Sequence, residues 1–164
     1  MKKKLLYLFI VIAILACILL IWLLKPAKSE KIVQDFLKEA FTKSESNSEL
    51  YQKFQESSVV IGEGVKSEIE KQSQEKSKQA EQAFKDMYGR YLNDEGIEDF
   101  NNQLFDYFLG LYSKDEKWDV KEIKVTEDNN KYKFYVSLEM DDGETKVEGR
   151  MEIIDGKIGK ISIT

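Results

Sequence analysis

The chain has 164 residues, 25 basic, 30 acidic and none histidine, with a net charge of −5. Without histidine, and with Cys17 as the single cysteine, it cannot assemble a His/Cys zinc site, a Ser-His-Asp triad or a Cys-His pair. Residues 1–29 hold five lysines and no acid, so 20 basic and 30 acidic residues remain and give 30–164 a net charge of −10. Such a domain repels phosphate backbones and anionic lipid surfaces, which argues against a nucleic-acid partner; the same acid excess also keeps a domain soluble.

Lys2, Lys3 and Lys4 precede residues 5–24, LLYLFIVIAILACILLIWLL, a run of twenty without a charge. As a helix this run is about 30 Å long, the hydrocarbon thickness of a bilayer. The sequence predicts a transmembrane signal anchor over 1–24 with its lysine tail in the cytoplasm. Lys25, Lys28 and Lys31 weaken the lysine bias, but the first helix usually sets orientation, and Trp22 suits the outer headgroup region. Two other readings compete. Ala27-Lys28-Ser29 fits cleavage of a signal peptide after Ser29, and Ile14-Leu15-Ala16-Cys17 loosely resembles a lipobox. A lipidated cysteine should begin a polar tether, whereas 18–24 stay apolar, so Cys17 reads as one more apolar side chain of the membrane run. Pro26 breaks the helix and opens a tether over 25–29. Residues 30–164 are then one extracytoplasmic domain, extracellular and at the cell membrane, with no disulfide to staple it.

Within that domain, Ile32, Val33, Phe36, Leu37, Ala40 and Phe41 repeat at the spacing of one helical face, with Ser29 as the expected cap. Residues 44–48, SESNS, read as a loop before a short helix around Leu50, Tyr51 and Phe54. The run 57–62 is too short to assign. Residues 63–90 predict a long helix, almost wholly polar in its first half; along its whole length only Val65, Ile69, Ala80, Ala83, Phe84, Met87 and Tyr88 are apolar candidates for a core. The polar half reads either as a protruding partner-binding helix or, more simply, as a solvated face. Asn93-Asp94-Glu95-Gly96 breaks the helix, and another is expected near Ile97 with Asp94 or Glu95 in the cap region. Phe100, Leu104, Tyr107, Phe108, Leu111 and Tyr112 then form an aromatic stripe at helical spacing.

The last fifty residues change period. Trp118 and Val120 alternate, Ile123 and Val125 alternate with the opposite parity, and the shift implies a bulge at Lys121-Glu122. Tyr132, Phe134, Val136, Leu138 and Met140 mark a second strand, Val147, Met151 and Ile153 a third, and Ile161 and Ile163 a fourth. Asn129-Asn130, Asp142-Gly143 and Asp155-Gly156 supply the turns. Helices followed by an antiparallel meander mean α+β, with the helical stripes buried on the apolar face of the sheet. Burial of five or six aromatic side chains there, at about 25 cal/mol per Å² of apolar area, is the main term opposing chain entropy.

The order of elements, from EKIVQDFLKEAF to the terminal DGKIGKISIT, resembles the NTF2-like (cystatin-like cone) superfamily over most of 30–164. The resemblance implies helices on a curved four-stranded sheet behind a single membrane anchor. A short inner tail, single span and outer domain of this kind is also the layout of the VirB8-like assembly factors of conjugation machines. No residue role carries over from either.

Candidate chemistry is sparse. Asp141-Asp142-Gly143-Glu144 is the densest acidic cluster of the strand region, but the positions alternating before Gly143 are Asp142, Met140 and Leu138, which fails the calcium-loop pattern and reads as a hairpin turn. Asn93 to Gly96 fails likewise at Tyr91. Asp99 and Asp106, beside Tyr107, Tyr112 and Tyr132, are the only hint of a carboxylate–tyrosine site, and no glycine-rich phosphate loop is present. The expectation is therefore no catalytic residue, no metal and no cofactor. It is a membrane-held, non-enzymatic interaction or assembly module, in conjugation or secretion machinery as its sharpest form, with the membrane and an envelope protein as partners. The alternative is a small-ligand binder whose apolar cavity is lined by Phe100, Phe108, Tyr132 and Phe134.

Overall fold

A computed structural model describes residues 28–57, 67–113, 117–129 and 131–164. They form five helices, α1 (Lys28–Phe41), α2 (Glu45–Ser57), α3 (Ser67–Tyr88), α4 (Asp94–Gln103) and α5 (Phe105–Ser113). Four strands follow, β1 (Trp118–Asp128), β2 (Lys131–Met140), β3 (Gly143–Ile154) and β4 (Lys157–Ile163). The strands pair antiparallel in the order β1-β2-β3-β4, so the chain is α+β with its helices first.

The expected architecture, which began with a transmembrane helix, needs correction. Among the described residues no helix is long and apolar enough to cross a membrane. The longest, α3, has 22 residues but carries Glu68, Glu70, Lys71, Glu75 and Lys76 in its first half. The uncharged run 5–24, and Cys17 within it, lie outside the described residues. So does 58–66, which includes most of the unassigned run 57–62 and Val65.

Helix boundaries differ from the sequence reading in physically simple ways. Lys28 and Ser29 are already helical, so the expected tether over 25–29 runs into α1 and Ser29 sits inside its first turn rather than capping it. The SESNS run is not a loop but the start of α2: the Ser44 hydroxyl accepts from the Asn47 N–H at 3.1 Å, the geometry of an N-cap. Asn93, one residue before the expected cap region, caps α4 by accepting from the Gly96 N–H at 2.8 Å. The aromatic stripe is split between α4 and α5 at Leu104, although its two halves still face one core.

Between β1 and β2 the register slips between Val120 and Glu122, where the parity change placed a bulge. Trp118, Val120, Ile123 and Val125 thereby share the inner face with their β2 partners Met140, Leu138, Val136 and Phe134. At the β3–β4 turn Asp155 and Gly156 both have positive φ, 52° and 78°, the two-residue turn whose twist matches the strands. The β2–β3 turn is Asp141-Asp142, one residue earlier than expected, and Gly143 (φ 140°) already pairs with Met140.

The core lies between the inner face of the sheet and the helices. α1 contributes Val33, Phe36, Leu37, Ala40 and Phe41, and α3 contributes Ala80, Phe84 and Tyr88, all buried. Ile69 is 53% exposed, so the apolar face of α3 exists only in its second half.

Candidate functional site

Four helices leave a groove of about 340 Å³ on the helical side of the core. Phe54 of α2, Phe84 of α3, Ile97 of α4 and Phe105 of α5 make its apolar wall. Phe54 stands edge-on to Phe105 at 4.7 Å and to Phe84 at 6.3 Å between centroids, the arrangement favoured by ring quadrupoles. Glu81 and Lys85, one turn apart on α3, and Asn101 on α4 supply the polar rim. An apolar floor with a few polar edge groups can take one or two apolar side chains of a partner; it offers no group poised for bond chemistry.

A second feature is a buried polar cluster centred on Asn47. The Asn47 amide, 1% exposed, donates to the carbonyls of Glu39 (2.8 Å) and Thr42 (3.1 Å) and accepts from the Tyr88 hydroxyl at 2.7 Å. It thus ties the end of α1 to α2 and α3. Tyr51 stacks on Tyr112 at 4.7 Å, and its buried hydroxyl has no hydrogen-bond partner among the described residues. Burial pushes the Tyr51 and Tyr88 phenols well above the ordinary value of 10.0. Burial also lifts Tyr112 to about 12. Tyr91 reaches about 12 through burial and through donating its hydroxyl proton to Glu39 at 2.7 Å. Arg90 also pairs with Glu39.

The residues singled out in the sequence do not converge. Phe100, Phe108, Tyr132 and Phe134 are all buried core residues, at most 4% exposed, and none of them lines the groove. Phe100 and Phe108 stack on each other at 5.8 Å. The Asp99 carboxylate accepts the Ile161 backbone N–H at 2.9 Å, a structural bond to β4. Asp106 is exposed at a separate depression shared with Tyr107, Met140 and Asp142. In the acidic hairpin, Glu144 accepts from Ser137 at 3.0 Å and pairs with Lys121 at 3.3 Å, and these bonds hold its carboxyl below the ordinary value. Among the described residues no group of three or more acids or cysteines is placed to hold a metal.

Sequence reading missed Asn47 and the groove. Asn47 lies on the same helical face as Leu50, Tyr51 and Phe54, and a polar residue in an apolar row was the available signal. The groove had none, because its walls come from four helices.

No protein-family model matches the chain, and no curated protein does. Among solved structures, the solution NMR structure of a de novo beta sheet design protein aligns with a TM-score of 0.36 and 16% identity, over 80% of this chain and 88% of that one. A likeness at that level carries no argument about fold or function.

Proposed function

We propose that this protein is a non-enzymatic interaction or assembly module at the cell membrane, its C-terminal domain displayed on the extracytoplasmic side. The groove walled by Phe54, Phe84, Ile97 and Phe105 carries the reading: it is an apolar surface rimmed by single charges, with no convergent reactive groups. Its occupant in this reading is a protein segment presenting one or two apolar side chains. The location rests on sequence alone, on Lys2, Lys3 and Lys4 ahead of the uncharged run 5–24. Confinement at a membrane raises the effective concentration of such a module towards envelope proteins. The NTF2-like resemblance and the conjugation or secretion role belong to this proposal and are its most specific form. No observation favours the small-ligand alternative, since Phe100, Phe108, Tyr132 and Phe134 are packed in the core.

Site-specific photo-crosslinking in intact cells tests this. A photoreactive side chain at Asn101 should capture one discrete partner, the same group at Glu148 on the outer sheet face should not, and Ile97→Glu should abolish capture while the circular dichroism stays native. Identical products from both positions, or capture indifferent to Ile97→Glu, would overturn the assignment of the groove.

A further inference from the structure

The two edges of the sheet are treated differently. At β4, the Ile158 N–H donates to the Tyr91 carbonyl at 2.7 Å, the Asn93 N–H donates to the Ile158 carbonyl at 3.1 Å, and Asp99 takes the Ile161 N–H. That edge is covered. β1 pairs only with β2, and among the described residues no backbone group hydrogen-bonds to its outer edge. The inner face is also least covered there. Val120, Ile123 and Val125 are half-buried, while their β2 partners Leu138, Val136 and Phe134 are buried. A groove of about 480 Å³ runs along this margin, between Trp118 to Ile123 on one side and Lys38, Thr42 and Lys43 on the other.

We infer that β1 is a homodimer edge, pairing antiparallel with β1 of a second copy about a two-fold axis at Ile123. The pattern of β1 is self-complementary about that residue. On the outer face Glu122 then stands opposite Lys124 of the second copy, and Lys124 opposite its Glu122; within one chain the same two side chains already pair at 2.7 Å. On the inner face Ile123 meets Ile123. Val125 meets Val120 of the second copy, because the bulge at Lys121 absorbs the extra residue. Glu127 lies on the inner face opposite Tyr132 and is exposed. It would reach Trp118 of the second copy, beside the Lys38 and Lys43 that line the groove. A slip that centred the axis on Lys124 would set lysine against lysine, so one register is favoured. Each copy uses the same strand, which closes the assembly at two. This edge is separate from the helical groove and does not depend on it.

The full chain in detergent micelles serves for the test. Sedimentation equilibrium should find a dimer. In a Cys17→Ser background, Ile123→Cys should oxidise to a linked dimer, since directly opposed strand residues fall within disulfide reach, whereas Ser162→Cys on β4 should not. Glu122→Lys should weaken the dimer by about tenfold, and Glu122→Lys with Lys124→Glu should restore it. A chain monomeric at every concentration, equal crosslinking at both cysteine positions, or a dimer indifferent to Glu122→Lys would each overturn the inference.

Discussion

Asn47 and Tyr51 are neighbours on one helix, both buried, and physically opposite. The Asn47 amide satisfies three partners, so Asn47→Ala strands the carbonyls of Glu39 and Thr42 and the hydroxyl of Tyr88. The loss should be about 2–3 kcal/mol, the desolvation of unpaired buried groups. The Tyr51 hydroxyl has no described partner to lose, so Tyr51→Phe should be neutral or slightly stabilising. Thermal unfolding of the two variants against the parent checks both signs; a Tyr51→Phe variant as damaged as Asn47→Ala would show that the hydroxyl is bonded.

At the scale of elements, the start of α4 is joined directly to β4. A Cβ at Gly96 would lie 2.1 Å from the Ile158 carbonyl oxygen, so no side chain fits between helix and strand. Gly96→Ala should therefore cost about 1–3 kcal/mol by overpacking. Asn93→Ala, which removes only the capping side chain, should cost about 1 kcal/mol. The order of these two in a denaturant titration separates close approach from capping. α3 presents a different contrast. Its residues from Glu68 to Gln72 are exposed, while Ala80, Phe84 and Tyr88 are buried. Amide hydrogen exchange should therefore be fast in the first turns and slow around Phe84, because little tertiary packing supports the polar half. Uniform protection along α3 would mean that another surface covers it.

For the whole molecule, the raised tyrosines predict alkaline lability. Tyr91 and Tyr112 titrate near 12 when folded against an ordinary 10.0, so between these values the unfolded chain has released protons that the native state still holds. Stability is then full below about pH 10 and falls as pH rises through 10 towards 12, the sign required when the folded pKa is raised. Melting temperature measured across that window should decline, and phenolate absorbance should lag that of free tyrosine until the fold is lost. The carboxylates of Asp128, Glu144 and Glu152 are held below their ordinary values by Lys133, Ser137 and Lys131. The two lysine pairs lie at the surface, so their loss on acidification should change stability little.

Local rules made much of the domain legible. The period of 2, the parity shift around Lys121 and the Asp155-Gly156 turn pointed to the strands and the β1 bulge, because backbone pleat and turn conformation depend on neighbouring residues. The amphipathic rows of α1 and of the second half of α3 were equally readable. Starts of helices were less so. Ser44 and Asn93 act as caps only once the following N–H groups turn towards them, and either residue is as compatible with a loop. Residue types alone excluded histidine chemistry and set the acidic charge of 30–164. The tertiary structure alone decided that Phe100, Phe108, Tyr132 and Phe134 fill a core, that the groove is walled by Phe54, Phe84, Ile97 and Phe105, and that the β4 edge is hydrogen-bonded while, among the described residues, the β1 edge is not. Those outcomes join residues tens of positions apart, and no local period encodes which surfaces meet or which remain uncovered.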